Sequence, residues 1–217
     1  MLDIRNCDCM DLMAEFDDNY FDLAIVDPPY GIGNILATNS RKIYKKISWN
    51  DEIPPPEYFE ELMRVSKNQI IFGINYFTDF VKSTGRIVHD KTGLGKKPHF
   101  NEMSDADLAS HSFGNNIKIF HYLWQGNAQG HSINWKNEGI NGRIHPTQKP
   151  VQLYSWLLKK YAKKDDVILD THLGSGSIAI ACHYAGIDLV ACEIDKDYYN
   201  DAMMRIVHQT KQTLLDI

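Results

Sequence analysis

The chain has 217 residues, of which 43% are hydrophobic and 24% charged, and it carries a formal net charge of −5. These values are typical of one large globular domain, and they argue against a protein that coats nucleic acid without regard to sequence. Since the sequence has no apolar run of membrane-spanning length, no signal-peptide pattern, no Cys-x-x-Cys and no zinc-ligand spacing, we expect a cytoplasmic protein with reduced thiols, no membrane contact and no metal site.

The amino-terminal part alternates strand and helix patterns. Residues 2–4 predict a strand, and Asp8 is placed to cap a helix over residues 10–16. The mostly apolar run 22–26 predicts a strand that is buried on both faces. This strand leads directly into the tetrapeptide Asp27-Pro28-Pro29-Tyr30.

The tetrapeptide fixes a short stretch of backbone. Pro28 keeps Asp27 out of the helical region, and neither proline has an N–H group to donate. The turn therefore presents a carboxylate, a backbone carbonyl and an aromatic ring in fixed directions, which suits the recognition of a small planar amine. Taken alone, the same four residues are also compatible with an ordinary loop at the end of a strand.

Two long segments of the chain, residues 31–56 and 125–146, lack a helical or strand pattern, and long segments of this kind are usually functional or mobile. Before the second of these, residues 103–110 predict a short helix and residues 117–124 a strand. Residues 31–56 and the glycine- and lysine-rich residues 91–100 carry clusters of basic side chains: Arg41, Lys42, Lys45, Lys46, Lys91, Lys96 and Lys97.

The carboxyl-terminal part again alternates helix and strand. Its apolar spacing predicts helices over residues 151–161, 175–185 and 195–215 and strands over residues 167–169 and 188–192. Together with the amino-terminal strands, this order predicts a single α/β domain over residues 1–217. Its sheet should be mainly parallel and doubly wound, with helices on both faces.

A glycine-rich turn follows the predicted strand at residues 167–169. Gly174 and Gly176 let the backbone approach a ligand closely, and Glu193, at the end of the next strand, can accept hydrogen bonds from both hydroxyls of a ribose. Tight packing of strand and helix would also explain the glycines. The carboxylate of Asp170 and the spacer before Gly174 favour a ligand with an ammonium group, such as the methionine part of S-adenosylmethionine, over a pyrophosphate.

Three motifs in this order resemble the permuted group of DNA amino-methyltransferases, which act on the exocyclic nitrogen of adenine or cytosine. They are Asp27-Pro28-Pro29-Tyr30, His145-Pro146-Thr147-Gln148-Lys149-Pro150 and Asp170…Gly174-Ser175-Gly176. The resemblance spans nearly the whole chain. It implies a Rossmann-like class I methyltransferase fold, S-adenosylmethionine as the methyl donor, double-stranded DNA as the partner, and a target-recognition insertion at residues 91–142.

The resemblance also assigns roles by motif position. It implies that Asp27 and the Pro28 carbonyl hold the amine of a flipped base, that Tyr30 stacks on the base, and that Pro29 belongs to the same catalytic turn. It implies a second set of residues around the cofactor: Asp8, His145, Thr147, Lys149, Asp170, His172, Gly174, Ser175, Gly176 and Glu193. The family usually has Phe at the position of His172, which we interpret as a substituted packing residue. Asp8 is also explained as a helix cap.

The resemblance gives the basic segments a role as well. We expect their lysines and Arg41 to contact DNA phosphates, although such charge runs are also common on ordinary protein surfaces. The short recognition region suggests a short target site or help from a second subunit in a homodimer. Asp in the first position of the tetrapeptide favours adenine over cytosine N4. RNA, a protein amide, a nicotinamide-dependent oxidoreductase and a non-catalytic DNA-binding protein remain as alternatives.

Overall fold

One eight-stranded sheet organises the structure. The computed structural model describes residues 1–33, 52–93, 104–125, 128–129, 144–145 and 147–211. The strands are β1 (Leu2–Arg5), β2 (Leu23–Val26), β3 (Gln69–Phe72), β4 (Gly85–Asp90), β5 (Ala106–His111), β6 (Ile117–His121), β7 (Trp124–Gln125), β8 (Ala128–Gln129), β9 (Val167–Asp170) and β10 (Asp188–Cys192). The helices are α1 (Cys9–Ala14), α2 (Pro56–Val65), α3 (Val151–Tyr161), α4 (Ser177–Ala185) and α5 (Lys196–Lys211).

The order of the strands brings the Asp27–Tyr30 turn and the glycine-rich turn together. The large sheet runs β1-β10-β9-β2-β3-β5-β4-β6, and β7 pairs with β8 separately. Only β5 is antiparallel to its neighbours in this sheet. Leu23 and Ala24 of β2 pair in parallel with Ile168 and Leu169 of β9. The turn after β2 and the turn after β9 therefore emerge side by side at one edge of the sheet, where ligands of open α/β sheets bind.

Two hydrophobic clusters cover the two faces of the sheet. Side chains of β2 alternate between them, because successive residues of a strand point to opposite faces. Leu23 and Ile25 pack in the cluster that includes α3, α4 and α5, whereas Ala24 and Val26 pack in the cluster that includes α1 and α2. The prediction of a mainly parallel α/β sheet with helices on both faces is confirmed.

Residues 106–111 form β5, so the prediction of a short helix over residues 103–110 is wrong. The strand forms because it hydrogen-bonds to β3 on one side and to β4 on the other. Within residues 91–142, β5 and β6 are strands of the main sheet. In the described ranges, no helix combines the length and the apolar character needed to cross a membrane.

Candidate active site

A cavity of about 230 Å³ opens at the carboxyl edge of the sheet, beside the ends of β1, β2, β9 and β10. The structure brings ten of the residues singled out from the sequence to its wall: Asp8, Asp27, Pro29, His145, Thr147, Lys149, His172, Gly174, Ser175 and Glu193. Four others lie next to these residues but are not part of the wall: Pro28, Tyr30, Asp170 and Gly176.

Both carboxylate oxygens of Asp27 accept a hydrogen bond. The Tyr30 hydroxyl donates to Oδ1 at 2.5 Å, and the Lys149 ammonium donates to Oδ2 at 2.5 Å. The same ammonium lies 3.3 Å from the Tyr30 hydroxyl, so the three side chains form a closed triangle. Burial, together with the negative charge of Asp27, raises the pKa of Tyr30 well above its ordinary range. Tyr30 therefore keeps its proton and remains a donor.

The ring of Tyr30 is held on several sides. It stacks on Tyr76, with 5.1 Å between ring centroids and 13° between planes, and it meets the edge of Phe77 at 6.1 Å. Gly73 follows β3 and lies so close to the ring that a Cβ there would be 2.2 Å from Tyr30 Cε1. Tyr76 is 41% exposed, so it forms the outer surface of this aromatic pair.

The glycine turn is fastened to the end of β10. Glu193 accepts hydrogen bonds from the N–H groups of Gly174, at 2.9 Å, and Asp195, at 3.0 Å. Burial raises the pKa of Glu193, and these two N–H groups oppose the shift. Gly174 and Gly176 have φ of +53° and +74°, a conformation that favours glycine. The carboxylate predicted to bind a ribose is thus already part of the turn, and it still lines the cavity.

Asp170 is buried beneath the cavity rather than in its wall. Its carboxylate accepts the N–H of His172 at 3.0 Å. Burial raises the pKa of Asp170 to about 8, and the negative charges of Asp27 and Glu193 contribute in the same direction. At neutral pH Asp170 is therefore mainly protonated in the absence of a cationic ligand.

His172 packs beside Tyr58, with the ring centroids 5.4 Å apart, and its Nδ1 lies 2.9 Å from the Thr171 hydroxyl. The Tyr58 hydroxyl is in turn 2.7 Å from the Thr171 hydroxyl. Burial lowers the pKa of His172 to about 4, so its ring is neutral near pH 7. These contacts are consistent with its interpretation as a packing residue.

His145 and Thr147 close the cavity from the side of the glycine turn. The His145 ring meets Tyr198 at a centroid distance of 4.4 Å, and its Nδ1 lies 3.0 Å from the Thr147 hydroxyl. A Cβ on Gly174 would lie 3.7 Å from this ring. Burial and the positive charge of Lys149 lower the pKa of His145 to about 4. The ring therefore adds no positive charge to the cavity at neutral pH.

Asp8 is both a helix cap and a cavity residue. Its carboxylate accepts the Met10 N–H at 2.7 Å at the start of α1, as capping requires. It also lines the cavity beside Cys7 and Cys9. The four cysteines carry free thiols.

Tyr154 is a cavity residue that the sequence did not reveal. It belongs to the apolar stripe of α3, which predicts only a core position. In the structure it lines the cavity together with Asp27 and Gly174. Burial raises the pKa of Tyr154 well above its ordinary range, so its hydroxyl stays protonated. The helical pattern predicts which side chains of α3 are buried, but not that one of them borders a cavity.

The predicted DNA contacts fall mostly on residues 34–51 and 94–103. Arg41, Lys42, Lys45, Lys46, Lys96 and Lys97 lie outside the described residues. Lys91 is described, and its ammonium donates to Asp107 at 2.8 Å with 17% of the side chain exposed. This position leaves little of Lys91 available to a phosphate. Among the described residues, no group of three or more His, Cys, Asp or Glu side chains could hold a metal ion.

Known proteins resemble this chain in sequence and in fold. A family model for N6/N4 methyltransferases, described as DNA methylase, matches residues 94–204. The Type II methyltransferase M.HpaI of Haemophilus parainfluenzae is 24% identical across 89% of this chain and 70% of its own length. M2.MboI of Moraxella bovis is 28% identical across 85% of this chain and 60% of its own length, so the chain spans less than two thirds of that relative.

Solved structures show the same fold at low identity. A complex of M1.HpyAVI with SAM has a TM-score of 0.60 and 19% identity, and the match covers 94% of this chain and 100% of that one. The PvuII DNA methyltransferase, described as cytosine-N4-specific, has a TM-score of 0.59 and 9% identity, with 97% of this chain and 92% of that one covered. At these identities the likeness establishes the fold alone.

Proposed function

Because the chain belongs to the N6/N4 DNA methylase family, we propose that it transfers a methyl group from S-adenosylmethionine to the exocyclic amine of adenine in double-stranded DNA. The observation that carries this proposal is the shared cavity. Asp27, Gly174 and Glu193 come from distant parts of the chain and line the same space. An amine held at Asp27 would therefore face a nucleoside-type donor held at the glycine turn.

The charge of the cavity supports a cationic donor. Among the described lining residues, Asp8, Asp27 and Glu193 are carboxylates, and Lys149 is the one cation. The sulfonium and ammonium groups of S-adenosylmethionine suit such a surface, whereas a pyrophosphate would be repelled. This favours a methyl donor over the nicotinamide dinucleotide that the glycine turn alone left open.

The chain's own residues account for the activation of the amine. S-adenosylmethionine supplies a methyl group on a sulfonium that is already activated for displacement. We propose that Asp27 accepts one amino hydrogen and that the Pro28 carbonyl accepts the other, which turns the nitrogen lone pair towards the methyl group. The nitrogen–carbon bond forms as the carbon–sulfur bond breaks, and the amine proton passes to the Asp27 carboxylate and on to water. Positioning and electrostatics provide most of the acceleration.

The aromatic pair at the outer side of Asp27 suits a flipped base. Tyr76 stacks on one face of the Tyr30 ring and is the more exposed of the two side chains. We propose that the base enters on the side of Tyr76 and stacks against this pair, since a base inside a duplex cannot reach the cavity. Contacts from Arg41 and the lysines of residues 34–51 and 94–103 to phosphates remain part of the proposal.

Adenine is the proposed target because Asp stands first in the tetrapeptide, and cytosine N4 is the second candidate. The second candidate is favoured by the fold shared with the PvuII enzyme. The two acceptors present a similar exocyclic amine to Asp27, so the described residues are compatible with either.

The test is transfer of labelled methyl from S-adenosylmethionine to unmethylated plasmid DNA, followed by nucleoside analysis. Label in methyladenine supports the proposal, label only in methylcytosine moves the acceptor, and no label refutes it. Asp27→Ala should abolish transfer while binding of S-adenosylmethionine largely survives. Asp165→Ala, which changes an exposed carboxylate outside the cavity, is the matched control and should leave transfer unchanged.

A further inference from the structure

The Lys149 ammonium points at the carboxylate that is proposed to hold the amine. The resemblance places Lys149 among the residues around the cofactor, yet its Nζ lies 2.5 Å from Asp27 Oδ2 and 3.3 Å from the Tyr30 hydroxyl. We propose that Lys149 is a positioning residue that holds the Asp27 carboxylate for the acceptor amine. This inference rests on the proposed methyl transfer and deepens it.

The surroundings of the ammonium account for all three of its N–H groups. Asp27 and Tyr30 take two directions, and the face of the Phe72 ring lies 4.7 Å away in a cation–π contact. The side chain is only 6% exposed. A buried ammonium is stable only when it is paired, and here the pairing is made within the protein itself. Lys149 therefore has no need of a ligand carboxylate to be held in place.

The backbone of Lys149 is fixed from two sides. The Ser177 hydroxyl at the start of α4 donates to the Lys149 carbonyl at 2.7 Å. The Trp124 indole N–H donates to the carbonyl of the preceding Gln148 at 2.6 Å. Arg205 of α5 donates in turn to the Ser177 hydroxyl at 3.0 Å. Since the chain is anchored at both carbonyls, the long side chain starts from a defined point, which a precise positioning role requires.

With both of its oxygens hydrogen-bonded, the Asp27 carboxylate can still accept hydrogen bonds from the amine. An ionised carboxylate has about four acceptor sites, and Tyr30 and Lys149 occupy two of them. Because the two donors are on different oxygens, the plane of the carboxylate is fixed. The remaining acceptor sites are available to an amine in the cavity. Without the ammonium, the Tyr30 hydroxyl is the one side-chain donor left to Asp27 among the described residues, and the carboxylate can rotate away from the productive orientation.

The test compares Lys149→Met, which is unbranched and one heavy atom shorter and removes the charge, with Lys149→Arg, which keeps the charge. Lys159→Met is the matched control on the exposed side of α3. The dissociation constant for S-adenosylmethionine is measured by titration calorimetry. The single-turnover rate of transfer to unmethylated plasmid DNA is then measured at saturating cofactor. Thermal unfolding of each variant reports whether it is folded.

We expect Lys149→Met to slow single-turnover transfer by about 100-fold, the cost of misplacing a reacting group by about 1 Å. The dissociation constant for S-adenosylmethionine should stay close to that of the unaltered chain, and Lys149→Arg should restore part of the rate. In Lys149→Ala, added ethylammonium should raise the rate, whereas ethanol at the same concentration should not. A purely structural role of Lys149 would not produce this difference between the two additives.

Several outcomes would overturn the inference. A raised dissociation constant for S-adenosylmethionine with an unchanged transfer rate in Lys149→Met would assign Lys149 to cofactor binding. If Lys149→Met does not fold, the same pattern in Lys149→Arg would lead to the same conclusion. Equal rates with ethylammonium and ethanol would also reject the positioning role. Absence of transfer by the unaltered chain is a separate result, because it refutes the proposed function and with it any role for Lys149 in that reaction.

Discussion

The position of Tyr30 depends on Gly73, the residue that follows β3. Gly73 has a φ of +76°, and a Cβ there would lie 2.2 Å from Tyr30 Cε1 and 2.6 Å from Cδ1. Retreat of the ring is resisted by Tyr76, stacked at 5.1 Å, and by Phe77, in edge contact at 6.1 Å. We therefore expect Gly73→Ala to displace Tyr30 and to take its hydroxyl away from Asp27.

The size of the effect follows from these distances. Ordinary contact begins near 3.4 Å, so the Tyr30 ring has to move by about 1.2 Å from its position 2.2 Å away. That shift breaks the 2.5 Å hydrogen bond to Asp27. A positive φ costs a residue with a side chain about 1–2 kcal/mol, and overpacking costs about 1–3 kcal/mol. We expect the free energy of unfolding to fall by about 2–5 kcal/mol and single-turnover methyl transfer to slow about 100-fold.

Gly186 supplies a matched control for Gly73. Its φ of +67° is similar, but a Cβ there would meet nothing within 4 Å. Gly186→Ala should therefore lose only about 1–2 kcal/mol and keep its transfer rate. Urea unfolding and single-turnover transfer are measured for both variants. Equal destabilisation of the two, or an unchanged transfer rate in Gly73→Ala, would refute the claim that Gly73 sets the position of Tyr30.

Three further predictions concern the cavity and its rim. The pKa of Asp170 is about 8 in the folded chain and 3.8 ordinarily, so its contribution to the free energy of unfolding is complete below pH 3.8 and is lost as the pH rises through about 8. Between pH 6 and 8 this loss should lower the unfolding free energy of the unaltered chain by about 2 kcal/mol. In Asp170→Asn that part of the decline should be absent, and an equal decline in both proteins contradicts the prediction. Asp8→Ala should lower the unfolding free energy by about 1 kcal/mol through loss of the Met10 cap, whereas Asp8→Asn should keep it; equal stability of all three proteins contradicts the cap. Tyr76→Ala should weaken DNA binding by about 1–3 kcal/mol in a filter-binding assay and leave cofactor affinity intact, and unchanged DNA affinity contradicts the stacking role.

Much of the fold could be predicted because local patterns record burial. Residues 23–26 are apolar throughout, since β2 packs against helices on both faces, and such a run is typical of a central parallel strand. Helical spacing gave α3 within the same limits, residues 151–161. β5 was missed because its sequence, from Ala106 to His111, has none of the β-branched or aromatic pattern of a strand. It is a strand because β3 and β4 both offer hydrogen-bonding partners, which is a property of the assembled sheet.

Local sequence constraints were enough to predict the two turns that border the cavity, although not the cavity residue Tyr154. Proline geometry fixes the turn at Asp27, and the glycine spacing fixes the turn before α4, because both constraints act within a few residues. The direction of the Lys149 ammonium depends on the folded chain, because its partner Asp27 is 122 residues away in the sequence. A lysine side chain has too many rotatable bonds for its motif position to set its direction. Here the direction is set by Ser177 and Trp124, which anchor the backbone, and by the partly buried carboxylate of Asp27 within reach.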